Sequence, residues 1–360
     1  MTLLQSREIE RSRYAEFLQQ STPSAFHRLE WLEQIERVYS VHLVTLGHFT
    51  GEVLVAVTPL IRRRMGIFDL WGSPMRQIPV PPSTSFCVPQ EQGCEAWIAL
   101  QQWAKHRGLA YLQVTLPPGA DVQQSRKLHI ETVENIEIDL QKPLEQLWQN
   151  VSQLPKRCVR GAVRGGVKIH WKFNPRILDD QALLLEQTYA QQGLAPNFPL
   201  GFYRALLENR DRLGLKILCA THSGQCVAVI WVMTDRDCCY YWDAAALDEG
   251  RKLSANHLLV WSLIRWAKRN GFKTLDFVGA GGRAGTKPGI KRFKMSMGGI
   301  ETSRQIIFKM TPFMHLALNG FRLMSKVKSR LASNLGKYRK SASDGGNSKG
   351  VSVPSAAPHV

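Results

Sequence analysis

The sequence repeats itself. Trp103-Ala104-Lys105-x-x-Gly108-x-x-x-Leu112 returns as Trp266-Ala267-Lys268-x-x-Gly271-x-x-x-Leu275, 163 positions later. An earlier segment, VTLGHFTGEVLVAVTPLI around Gly51, returns as KILCATHSGQCVAVIWVM around Gly224, 173 positions later. Two segments recurring in the same order at nearly the same offset indicate a duplicated unit. The earlier segment reads as two β-rich runs joined by Thr50-Gly51-Glu52 or Ser223-Gly224-Gln225, with glycine supplying the positive φ of a tight hairpin. The later one is an apolar stripe at helical spacing that ends in bases and a Gly stop, followed by a short strand. Each half should therefore run helix, hairpin, further strand, helix, strand.

In the first half the spacing predicts a helix over 29–39, a hairpin over 41–61 and a helix over 92–107. In the second it predicts helices within 180–210, a hairpin over 215–234 and a strand over 238–246. A long helix over 253–270 and a strand over 274–278 follow, and the linking segment 144–172 reads as helical. The expected fold class is α/β (α+β), with each half a mixed, largely antiparallel sheet flanked by helices. The expected domains are 1–143, 144–312 with the candidate active site, and 313–360 as a basic helix and disordered tail. A chain of 360 residues has room for two domains. Trp31, Trp103, Trp148, Trp231 and Trp266 lie on apolar faces and read as core.

At 44% hydrophobic and 21% charged, the composition excludes a disordered, collagenous or coiled-coil chain. The 47 Lys and Arg exceed the 29 Asp and Glu, giving a net charge of +18 and pointing to a partner that carries negative charge. Residues 321–350 hold eight of these bases and one acid, a composition suited to an anionic membrane surface or a solvated terminal helix. The seven cysteines show no zinc spacing and read as small buried hydrophobes in a reducing compartment. The first residues lack the apolar core of a signal peptide, and the uncharged run 217–234 reads as a hairpin. The expected location is the cytoplasm, extending to peripheral attachment on the inner face of the plasma membrane.

Three places could carry chemistry. Lys156, Arg157, Arg160, Arg164 and Lys168 recur at helical spacing in a stretch with no acid between Glu145 and Asp179, which suits ligand phosphates as well as a solvated face. The predicted strand 274–278 runs into a Gly-rich loop holding Arg283 and Lys287, then Lys291, Arg292, Phe293 and Lys294. Glycines there let backbone approach a ligand and the bases would neutralise an anion, although neither a Walker A nor a dinucleotide spacing is present. Tyr240, Tyr241, Asp243, Asn256, His257 and Asp276 form a polar set in which each is a candidate general base or a structural group. No metal-binding pattern occurs.

Several of these residues together resemble a known family. Leu275-Asp276-Phe277-Val278-Gly279, then Gly289-Ile290-Lys291-Arg292-Phe293-Lys294 and Met297-Gly298-Gly299, is similar to the "DFGG … GI..FK..FGG" signature. That signature belongs to the Fem-type (FemAB/FemX-like) branch of the GNAT acyltransferases. Arg157-x-x-Arg160-x-Ala162-x-x-Gly165-x-Val167 and Phe26-His27-Arg28-Leu29-Glu30-Trp31-Leu32 are similar to two further motifs of the branch. The resemblance covers residues 24–309.

It implies two tandem GNAT-like domains and an N-acyltransferase acting on an amino group of a cell-envelope or exopolysaccharide precursor. The characterised members move an aminoacyl group from charged tRNA onto a peptidoglycan precursor. By the resemblance Phe293 and Lys294 are catalytic, with Lys294 at the oxyanion, and Asp276 is a candidate base. Arg283, Lys287, Lys291, Arg292 and Arg251 would bind the donor, and Arg157, Arg160 and Arg164 the acceptor. No tightly bound cofactor is implied. The donor is acyl-CoA or aminoacyl-tRNA, and the partner a phosphorylated or lipid-linked precursor. The GNAT pyrophosphate loop, R/Q-x-x-G-x-G/A, would fall on Arg251 to Asn256, where the Arg is present and the glycines are not. The competing reading is a non-catalytic protein binding anionic lipid, polysaccharide or RNA.

Overall fold

The computed structural model describes residues 4–73, 75, 78, 85–88, 92–116, 128–171, 176–190, 196, 198–280 and 288–316. Residues Met1–Lys309 form one compact unit and Met310–Val360 a second. In the second, a helical turn covers 312–316, and the rest of the expected basic helix and tail lies outside the described residues.

The elements follow in chain order: β1 Gln5–Glu8, α1 Arg11–Gln19, α2 Leu29–Tyr39, β2 His42–Thr50, β3 Val53–Met65, β4 Phe68–Ser73, α3 Gly93–His106, β5 Tyr111–Thr115 and β6 Leu128–Asp139. Then come α4 Leu144–Asn150, α5 Gln153–Arg164, β7 Lys168–Trp171, α6 Ile177–Ala190, α7 Leu200–Glu208 and α8 Arg210–Leu213. The remainder is β8 Lys216–His222, β9 Gln225–Thr234, β10 Cys238–Ala246, α9 Asp248–Lys252, α10 Ala255–Arg269, β11 Thr274–Asp276, α11 Pro288–Ser296 and β12 Ile300–Met310.

The repeat governs this layout. The hairpins β2–β3 and β8–β9 turn at Gly51 and Gly224, both at positive φ. Helices α3 and α10 each end two residues before a left-handed glycine, Gly108 at 64° and Gly271 at 80°. Each helix returns to a short strand, β5 or β11, that pairs in parallel with β4 or β10. Leu112 and Leu275, the last matched residues of the repeat, are both buried there.

The twelve strands of the described residues join one sheet in the order β1-β2-β3-β4-β5-β12-β6-β11-β10-β9-β8-β7. From the centre outward the order is nearly a palindrome, with the two halves facing each other across the β12–β6 pair. Each half also lends the other a strand. β6 follows β5 in sequence but pairs with β11, and β12 follows β11 but stands next to β5. The cores record the exchange. Ile136 and Ile138 of β6, with Leu140 just after it, are buried among second-half residues, whereas Ile307 of β12 is buried among Leu46, Trp97, Leu112 and Val114. Residues 1–309, which span the expected halves up to Lys309, form one compact unit, and each of the two cores includes residues of a strand from the other half.

The linking segment departs from an all-helical reading, since α5 gives way to strand β7 after Gly165-Gly166. The β-branched and aromatic run Lys168–Trp171 pairs antiparallel with β8 and forms that edge of the sheet. A second seal between the halves is aromatic. Phe26 and Trp31 of the first meet Tyr240 and Trp242 of β10, with ring centroids 5.0 and 5.3 Å apart.

Candidate active site

The parallel pair β10–β11 holds register for three residues, Cys238–Tyr240 against Thr274–Asp276. Beyond Tyr240, β10 runs on to Ala246 beside β9, with a register shift between Tyr241 and Asp243. The chain after Asp276 instead turns away, through Val278 at φ 55° and Gly279 at φ 103°. The parallel pairing of the two strands thus ends at Tyr240 and Asp276, where the chain enters the turn at Val278 and Gly279.

Lys294, on α11, reaches this point. Its Nζ donates to the carbonyls of Phe277 and Gly279, each at 2.8 Å. It also lies 5.9 Å from the ring centroid of Tyr241 and 5.8 Å from that of Phe277. Lys294 is buried, and burial pulls its ammonium down to about 8, partly opposed by the negative charge of Asp276. An ammonium has three protons, and two are committed to these carbonyls. Phe293 packs beside it against the second-half core, its ring 5.1 Å from that of His257 in the first turn of α10. Burial lowers the pKa of His257 too, favouring the neutral imidazole.

Asp276 sits in a different role from the candidate base of the sequence reading. One carboxylate oxygen accepts from the Val278 N–H at 2.6 Å and from Asn135 Nδ2 at 3.1 Å, and the other pairs with Arg304. Both oxygens are engaged, so Asp276 anchors the turn. Asn135 and Arg304 were not legible as site residues. They come from the central strands β6 and β12, which sequence order does not bring next to β11. The one local sign was Asn135 and Glu137 two apart in an alternating strand, which puts both on one face.

The other expected residues divide. Lys291 bonds Glu134 at 2.8 Å and Glu301 at 2.9 Å, contacts that raise its pKa and occupy the ammonium. Arg251 bonds Asp248 within its own short helix and the Ala246 carbonyl at 2.6 Å. Arg292 is exposed on α11, where it lines a small hollow with Ser152, Pro288 and Met295. Arg283 and Lys287 lie outside the described residues. Arg157, Arg160 and Arg164 share the solvent face of α5, opposite Pro155, Val159 and Ala162, which are buried. Of the polar set, Tyr240 bonds Asp235 and Tyr203 bonds Asp243, each at 2.6 Å; burial raises Asp243 to about 6.

The stretch where GNAT proteins carry glycines keeps an unusual backbone. Ser254, at the N-cap of α10, stands at φ 57°, the left-handed conformation that glycine adopts most readily. Gly250 in α9 has no room for a side chain, because a Cβ would come within 2.2 Å of the Val227 carbonyl. Among the described residues there is no cluster able to hold a metal ion, and no helix is long and apolar enough to cross a membrane.

Residues 156–295 match the family model of the acetyltransferase (GNAT) domain. The chain is similar in structure to FemX, with TM-score 0.68 and 12% identity over 87% of this chain and 99% of that one. It is similar to L-PGS from Bacillus licheniformis, with TM-score 0.54 and 10% identity over 88% of this chain and 97% of that one. A conserved protein from Bacteroides thetaiotaomicron gives TM-score 0.55 at 11% identity, over 85% and 99%. At such identities the likeness is one of fold. No curated protein matches the sequence. The matched residues run from α5 through β10 and β11 to α11 and include Lys294. Residues 156–295 thus match a GNAT acetyltransferase domain, in a chain that shares the fold of FemX.

Proposed function

We propose that this chain transfers an acyl group onto an amine of a cell-envelope precursor, with Lys294 as the cation facing the reacting carbonyl. The observation that carries the reading is a buried ammonium, fixed by two carbonyls of the turn that follows the parallel pair β10–β11, within the residues that match a GNAT domain.

The chemistry follows from that position. The acceptor nitrogen attacks the acyl carbon, and the carbonyl π electrons move onto oxygen. A fixed cation beside that oxygen favours the tetrahedral state by about 2.7–4 kcal/mol, the range for one oxyanion donor. Collapse re-forms the carbonyl and breaks the bond to the leaving group, a thiolate from a thioester or an alkoxide from an ester. The nitrogen loses its proton and the leaving group gains one. With Asp276 held by Arg304, His257 and the substrate's own groups are the proton acceptors consistent with the site.

The donor is acyl-CoA or aminoacyl-tRNA, and the acceptor is an amine of a peptidoglycan or exopolysaccharide precursor. The left-handed turn at Ser254 supports a pyrophosphate at the start of α10, whereas Arg251 is tied to Asp248. The exposed arginines of α5 suit the phosphates of an acceptor. Equilibrium binding of acetyl-CoA and of charged and uncharged tRNA, at two salt concentrations, decides the donor. A saturable acetyl-CoA complex that persists at high salt makes it an acyl-CoA transferase. Binding that requires the aminoacyl group on tRNA makes it an aminoacyltransferase. Binding only of RNA, lost with salt whatever its charging, overturns the proposal in favour of a basic binding protein. Lys294→Ala in the donor-positive assay should lower kcat/KM by about 100-fold or more with the fold intact.

A further inference from the structure

Lys294 is held by two carbonyls, and those carbonyls belong to a turn that is itself an outlier. Val278 adopts φ 55°, a conformation that β-branched residues rarely take. Something must hold it there. The neighbouring Gly279 N–H donates to Asn135 Oδ1 at 2.5 Å. The same side chain's Nδ2 donates to Asp276 Oδ1 at 3.1 Å and to Glu137 at 2.7 Å. Asp276 in turn accepts from the Val278 N–H, and Arg304 pairs with both Asp276 and Glu137. The amide can be oriented in only one way, because its oxygen faces an N–H and its nitrogen faces two carboxylates.

We propose that Asn135 is a positioning residue of the acyl-transfer site: it reaches from the borrowed central strand β6 and clamps the turn whose carbonyls aim Lys294. Register supports the assignment. Asp276 stands opposite Glu137, Thr302 opposite Asn135 and Arg304 opposite Val133, so the whole network lies on one face of three adjacent strands. Asn135 is 1% exposed and touches neither Lys294 nor open space, so its role is to hold rather than to react. It belongs to the first half of the chain, 144 residues before Gly279. The second half's cation is therefore aimed by a residue of the first half, which explains why the β6 exchange bears on function as well as on packing. The inference rests on Lys294 as the working cation, so its test reads Lys294 directly rather than turnover.

The test is pH-resolved competitive acetylation of the full chain with acetic anhydride, followed by mass spectrometry of the Lys294 peptide. The groups facing Lys294 are the carbonyls of Phe277 and Gly279, the ring of Tyr241 and, through Asp276, the charges of Arg304 and Glu137. In the unmodified chain the midpoint should lie near 8. Asn135→Ala frees the Gly279 N–H and lets the turn and its lysine open to water. The midpoint should then rise by about half a pH unit or more, roughly threefold in the ionisation constant. Ile307→Ala, a truncation in the first-half core, is the control for general loosening and should leave the midpoint in place. An unmoved midpoint in Asn135→Ala, or an equal shift in Ile307→Ala, overturns the proposal. If Asn135→Ala does not fold, amide exchange in the unmodified chain decides. A Gly279 N–H that exchanges as slowly as its β11 neighbours supports the clamp, and one that exchanges as fast as an open loop ends it. Full turnover by Lys294→Ala would instead sink the role of Lys294 and leave the clamp measurement standing.

Discussion

At Lys294 the balance is between burial, which disfavours the ammonium, and the carbonyls and Asp276, which favour it. Burial wins, leaving the group at about 8, so it is mostly charged at pH 7 and loses its charge as pH rises through that value. If the cation is needed in the transition state, its charged fraction, and with it its contribution to kcat/KM, should fall about tenfold per pH unit above 8. The attacking amine must be neutral, which gives a rising limb at lower pH, so the profile should be a bell. A profile still rising at pH 9.5 would exclude the charged lysine. The signature's paired glycines have separate physical reasons. Gly298 stands at φ 94°, whereas Gly299 lacks space: a Cβ there would lie 2.4 Å from Ile136 and 2.8 Å from the Lys294 carbonyl. Gly299→Ala must push α11 off β6, so we expect a loss of roughly 1–3 kcal/mol in urea unfolding, with Lys294 displaced. The aromatic of that motif is here Met297, buried in the second-half core as an apolar substitute.

Elements built from local periodicity were legible. The helix over 29–39 and the strand over 238–246 match α2 and β10, because an apolar stripe or an alternating run declares its period within a few turns. The repeat also carried the returns from α3 to β5 and from α10 to β11, though not their parallel pairing. β6 and β12 were not legible, and the reason is topological. Their side chains alternate as any strand's do, but nothing local says that each crosses to the other half. The site inherited the same blindness: Lys294 and Phe293 could be found in a contiguous motif, while Asn135 and Arg304 depend on that crossing. The exchange itself can be measured. Ile138→Ala should cost about 2–5 kcal/mol through the second-half core, although Ile138 belongs by sequence to the first half, and Ile307→Ala a similar amount through the other. If each cavity loosened the half to which its residue belongs by sequence, as judged by hydrogen exchange, the crossing would be disproved.

For the molecule as a whole, duplication and exchange make opposite demands on cooperativity. A tandem of independent domains would unfold in two steps, each half keeping its own core and its own transition. Here the β12–β6 ladder runs from Ile300 against Glu137 to Lys309 against Leu128, and each of the two strands fills the other half's core. Losing the first half would strip Ile136, Ile138 and Leu140 from the second core and remove the clamp on Gly279. Losing the second would uncover the edge of β5 and empty the place of Ile307. Neither half keeps a closed core alone, so residues 1–309 should melt as one unit despite their internal repeat. Scanning calorimetry of the full chain should give a single main transition with equal van't Hoff and calorimetric enthalpies. Two resolved transitions, or a calorimetric enthalpy about twice the van't Hoff value, would mean that the halves are energetically separate. A site built from both would then lose its first-half clamp well before its second-half domain unfolds.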